Sequence, residues 1–129
     1  MTQHNRARLF LVMAHKDFRA IRAMTDDAFA VEIFGFHAQQ AAEKALKAWL
    51  EHLGGIAPIT HNLVLLISML GDLGQDMTGW LDLIALNGYA VQYRYEQYDS
   101  QTEELDRVKT IGLIDRLLTT VDQVVGYSE

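Results

Sequence analysis

The residues of this chain best suited to chemistry lie on one stretch, Phe36 to Leu50, FHAQQAAEKALKAWL. His37, Gln40, Lys44 and Lys47 recur at three- and four-residue steps, so a helix places them in one polar stripe that continues to Glu51. A histidine moves a proton near neutral pH, a glutamine both donates and accepts, and two lysines attract an anion. Histidine and glutamine are poor choices for a face that only meets solvent. The stripe is therefore read either as a ligand- or partner-binding groove or as a solvated helix face. His61 follows Thr60 in a segment that reads as a helix start, where the positive end of the helix dipole favours a neutral imidazole. Arg94 stands among Tyr93, Tyr95 and Tyr98. It either stacks on those rings and pairs with a carboxylate such as Asp17, or grips a phosphate while the tyrosines stack on a base.

Other chemistries have no pattern behind them. His37 with His61, or His15 with Asp17, would ligate a metal only after tertiary assembly, and no HExxH-type spacing supports either pair. No glycine-rich phosphate loop follows a strand, and the absence of cysteine removes disulfide and thiolate chemistry. No metal or cofactor is expected. A formal charge of −6 argues against broad, sequence-independent nucleic-acid binding. No apolar run approaches the roughly 18 residues of a membrane helix and no signal pattern opens the chain, so a cytoplasmic protein away from membranes is expected. The length of 129 residues suits a single domain with a true core, taken as 1–129.

Helices must position these side chains. On the central stretch, Ala38, Ala41, Ala42, Ala45, Leu46, Trp49, Leu50 and Leu53 form an apolar arc whose alanines permit close helix approach. Thr25 with Asp26 and Asp27 reads as a cap and acidic first turn, so this helix is expected from there to about Leu53, before Gly54-Gly55. A first helix is expected over Asn5 to Met24. Its apolar arc would comprise Leu9, Phe10, Met13, Ala14, Phe18, Ala20, Ile21 and Met24, with Arg8, His15, Arg19 and Arg22 as a basic outer stripe. Asp17 falls inside that arc and must be paired or hydrogen-bonded. Thr60 would cap a third helix burying Leu63, Leu66, Ile67 and Leu70. A fourth would begin near Asp76 or Thr78 and carry Trp80, Leu81, Leu83, Ile84, Leu86 and Val91. Ser100 to Glu103 reads as a capping box opening a last helix through Leu105, Val108, Ile111, Ile114, Leu118, Val121 and Val125. The expectation is an all-α, five-helix up-and-down bundle.

The blocks FHAQQAAEKALKAWLEHLG, THNLVLL and YAVQYRY, with AHKDFRAIRAM before them, resemble the HEPN family (higher eukaryotes and prokaryotes nucleotide-binding). The resemblance spans nearly the whole chain, and its most specific part is Phe-His-x-Gln-Gln-x-x-Glu-Lys-x-x-Lys. It implies a homodimer with a groove between protomers, partnership with a minimal nucleotidyltransferase and, in some members, a toxin–antitoxin pair. The ribonuclease branch carries an arginine and a histidine separated by four to six residues near the last helix. This chain departs from that pattern, since no histidine follows Arg94 and the last is His61. Its only literal match, Arg8 and His15, lies on the first helix. The positions carried over are His37, Gln40, Glu43, Lys44, Lys47, His61, Arg94 and Tyr95, with Glu43 set to pair with Lys47 one turn on.

The reading favoured is a non-catalytic subunit whose groove, built from His37, Gln40, Lys44, Lys47, His61, Arg94 and Tyr95, binds a nucleotide or a nucleotidyltransferase partner. One alternative is a ribonuclease toxin using His37 or His61 with Arg94, although RNA is not the favoured ligand. The other is a purely structural interaction protein.

Overall fold

The computed structural model describes residues 2–90 and 105–128. Helix α1 spans Gln3–Ala23 and is capped by Thr2, whose hydroxyl accepts from the Asn5 N–H. Its buried seam is Ala7, Leu11, Ala14, Phe18 and Ile21, a strict alternation of four- and three-residue steps. The expected arc is thus rotated: Leu9 and Met13 lie exposed, and Phe10 is only partly covered. Two apolar stripes compete on this helix. The one with small residues at Ala7 and Ala14 is inside, facing the alanine-rich surface of the next helix.

That helix, α2, spans Val31–His52 and contacts every other helix of the bundle. It begins later than the Thr25 and Asp26 signal predicts. Asp26 instead closes a turn, its side chain accepting from Ala28 N–H at 2.8 Å and its carbonyl from Phe29 N–H at 3.1 Å. The carbonyls of Met24, Asp26 and Phe29 are taken by the Arg107 guanidinium at 2.6–3.0 Å. A tertiary donor thus takes carbonyls that a longer α2 would direct along its own axis.

Helix α3, Leu63–Asp72, buries Leu63, Leu66, Ile67 and Leu70 as the periodicity predicts. Its cap is Asn62, which accepts from Val64 N–H, and not Thr60, which accepts from Asn62 N–H one step earlier. The chain leaves α3 through Gly74 at φ +89°, a left-handed conformation that favours glycine.

The fourth element is a 3₁₀ helix over Thr78–Ala90 instead of the expected α-helix. Leu83, Leu86 and Tyr89 recur every third residue, so the 3₁₀ geometry stacks all three on the buried side. Leu81, also carried by this element, is exposed. The Tyr89 ring lies on Gly35 of α2, where an added Cβ would overlap it. Helix α4, Arg107–Val125, is capped by Asp106 and closed by Gly126 at φ +78°. Its buried side runs through Ile114, Leu117, Leu118, Val121 and Val125, while Val108 in its first turn is exposed. The expected capping box, Ser100 to Glu103, and Val91 lie outside the described residues. Among the described residues the architecture is an all-helical bundle of five helices arranged about α2. Among the described residues no helix is long and apolar enough to cross a membrane.

Candidate functional site

The polar stripe of α2 is not simply solvated. Glu43, on the same helix and almost wholly buried, gathers its neighbours. One carboxylate oxygen accepts from Gln39 Nε2 at 3.2 Å and from His61 Nδ1 at 2.8 Å. The other accepts from Lys44 Nζ at 3.3 Å and Lys47 Nζ at 3.1 Å. The expected one-turn pair between Glu43 and Lys47 is therefore present, with Lys47 itself buried. Gln40 completes the chain, accepting from Lys44 Nζ at 3.1 Å and donating to Gln39 Oε1 at 2.7 Å.

Burial alone would push the Glu43 carboxyl up. The His61 hydrogen bond, the Lys44 and Lys47 charges and the Gln39 amide outweigh it and hold the group below its ordinary value of 4.5. Glu43 is thus an anion at neutral pH, and an ionised carboxylate only accepts, so His61 Nδ1 carries the proton of their bond. The ring keeps Nε2 on its opposite edge, and the side chain is 58% exposed. The dipole argument from sequence treated His61 as a helix-end residue and missed its carboxylate partner.

His37 lies nearer the start of α2 and makes a separate pair, Nδ1 to Asp17 Oδ1 at 2.8 Å, which ties α1 to α2. This supplies the partner that Asp17 required. Gln40, Lys44, Lys47 and His61 thus form one connected network through Gln39 and Glu43, whereas His37 is bonded into a neighbouring one. Arg94 and Tyr95 lie outside the described residues.

Glu51, the last member of the stripe, is also buried and has a different role. It accepts from Arg6 Nε and Nη2 at 2.9 and 3.2 Å and from Ala57 N–H at 2.6 Å, joining α1, α2 and the loop after α2. Sequence spacing gave no notice of Arg6 or Arg107, whose partners lie far along the chain. Gln39, between the apolar arc and the polar stripe, was not among the site residues read from the sequence. Among the described residues no group of three or more histidines and carboxylates could hold a metal ion.

The arrangement suits binding of an anion: two lysines and a fixed imidazole around one buried carboxylate leave net positive charge in a chain of formal charge −6. Residues 7–124 match the family model of the HEPN domain. The chain belongs to the HEPN family. No curated protein and no solved structure gives a match. In this HEPN domain the one arginine–histidine spacing of the ribonuclease type, Arg8 and His15, is engaged between helices. His15 Nε2 lies 2.9 and 3.0 Å from the two Asp122 carboxylate oxygens of α4 and stacks on Tyr127, with the Arg8 guanidinium 5.0 Å from the same ring. The α1 stripe that the sequence places outside is, at these two positions, part of the joint between α1 and α4.

Proposed function

We propose that this HEPN domain is a non-catalytic binding subunit that works as a homodimer beside a minimal nucleotidyltransferase. Its groove along α2, built from His37, Gln40, Lys44, Lys47 and His61, receives a nucleotide or the nucleotide-bearing face of that partner. Arg94 and Tyr95 join the groove on the sequence pattern. The observation carrying this reading is the charge around Glu43: two lysine cations share one buried carboxylate. A structural pair needs one cation per carboxylate, and the second leaves capacity for an outside anion. The test is affinity purification from the native cells, with bound proteins and nucleotides identified by mass spectrometry. Recovery of a small nucleotidyltransferase or a nucleotide, lost in a Lys44→Ala/Arg94→Ala variant, is the expected result. Unchanged recovery of both by that variant would refute the groove.

A second reading, a ribonuclease toxin with a displaced site, draws on two of the histidine–carboxylate pairs, those of His37 and His61. Asp17 holds the His37 ring and Glu43 holds the His61 ring, the way a general base is oriented in many enzymes. It requires growth arrest on expression that His37→Ala or Arg94→Ala relieves; harmless overexpression would exclude it.

A further inference from the structure

We propose that the outer side of α1 and the loop after α2 dock an acidic amphipathic helix of another protein. Leu9, Met13, Ile56 and Ile59 anchor its apolar face, and Arg6 and Lys16 meet its carboxylates. The surface lies outside the polar stripe of α2, so the inference stands apart from the groove reading above.

The loop carries the first observation. Ile56 is 77% exposed and Ile59 fully so, although neither side chain has a polar atom to offer water. A loop free to move could fold such side chains back, but this one is held. Ala57 N–H donates to Glu51 at 2.6 Å and Gly55 N–H to the Leu50 carbonyl at 3.0 Å, while the His61 carbonyl accepts from Gln39 at 2.9 Å. Pro58, between the two isoleucines, has its φ fixed by its ring. Both side chains are thus presented outward in advance, and little ordering is needed when a partner covers them.

Helix α1 continues the patch. Arg6, Leu9, Met13 and Lys16 follow at three- and four-residue steps and share one stripe, on which Leu9 and Met13 are exposed. Stripe and loop meet over one carboxylate: Glu51 Oε2 accepts from Arg6 Nη2 at 3.2 Å and from Ala57 N–H. A single exposed leucine is ordinary, whereas exposed apolar side chains gathered from two elements fit a contact surface.

The charges select the partner. Along α1, Arg6, Arg8, Lys16, Arg19 and Arg22 stand against one carboxylate, Asp17, which is engaged by His37. Residues 53–62 contain no Asp, Glu, Lys or Arg, and Glu51 beneath the patch is buried against Arg6. Lys16 is exposed, with no partner among the described residues. Arg6 spends two of its five N–H donors on Glu51. A chain of formal charge −6 therefore offers here an apolar patch with a positive rim. A second copy would set Arg6 and Lys16 against their own images across a two-fold axis, a like-charge contact. A nucleic acid would match the rim but lay phosphates on the isoleucines. A helix with apolar side chains on one face and carboxylates beside them matches both.

The experiment is fluorescence-anisotropy titration of labelled peptides with the full chain. One peptide is an amphipathic helix with leucines at helical spacing flanked by glutamates; one has lysine for each glutamate; one is the first with its order scrambled. The acidic helix should bind roughly tenfold or more tighter than either control. Ile56→Ser/Ile59→Ser and Lys16→Glu should each weaken it by roughly tenfold, with circular dichroism confirming the fold, while Lys109→Met on the exposed side of α4 should not. Equal binding of the acidic and basic helices would overturn the charge match, and binding unmoved by Ile56→Ser/Ile59→Ser would overturn the patch. Failure of the acidic helix to bind would overturn the proposal outright. So would a dimer in sedimentation that Ile56→Ser/Ile59→Ser dissociates, because the occupant is then a second copy. No nucleotide enters these titrations, so the groove reading stands or falls separately.

Discussion

Glu43 and Glu51 lie on one face of one helix, two turns apart, and both are almost fully buried. Their partners differ in kind. Glu51 meets a single guanidinium, Arg6, in a two-point contact, and the backbone N–H of Ala57 adds a third hydrogen bond. Charge there is matched, and the result is a joint between α1, α2 and the following loop. Glu43 meets two ammonium groups, an imidazole and an amide. Charge there is in excess, two ammonium groups on one carboxylate, and of its partners His61 is the most exposed. A single matched cation suits a structural joint, and the proposed function takes the second ammonium at Glu43 as capacity for an outside anion.

The comparison can be broken from either end, and the largest effect is expected at Glu51. Arg6→Met leaves that carboxylate buried with only a backbone partner, and urea unfolding should show a loss of about 3 kcal/mol. Glu43→Gln is expected to cost about 2 kcal/mol by the same measurement, because it leaves the buried Lys47 ammonium without its counter-charge. Its pH dependence sharpens the point. A carboxyl held below its unfolded value contributes stability above that value and loses it as pH falls through the folded one. The wild type should therefore weaken below about pH 4.5 through Glu43, and the Glu43→Gln stability profile should be flatter in that window. His37→Ala, which breaks a partly buried pair with Asp17, should cost about 1 kcal/mol. Lys44→Met should change stability by less than about 1 kcal/mol, since Glu43 keeps Lys47 and His61.

How far the sequence could be read follows from how local each interaction is. The buried face of α3 was legible because Leu63, Leu66, Ile67 and Leu70 recur at helical spacing, although Val64 and Leu65 on the same helix are apolar and exposed. The alanine-rich arc likewise marked α2 as the helix on which the rest packs. On α1 two apolar stripes were available, and the partner helix decided between them. The start of α2 was misread because Thr25 and Asp26 form a good local cap, while the guanidinium that holds that loop in a turn belongs to Arg107, some eighty positions away. At the site, Lys44, Lys47 and Gln40 lie within one or two turns of Glu43, so spacing alone grouped them. His61 joins from another element, and its bond to Glu43 depends on how the loop after α2 folds back.

The most direct test sets Lys44→Met against Arg6→Met, since each removes one positive charge beside a buried glutamate of α2 and the overall charge change is the same. The measurement is the AMP dissociation constant of both variants against the wild type. The account predicts a loss of roughly tenfold or more in Lys44→Met and an unchanged value in the folded fraction of Arg6→Met. Equal weakening in both would mean that AMP senses only net charge, and no weakening in Lys44→Met would mean that the excess charge at Glu43 is not where the ligand binds.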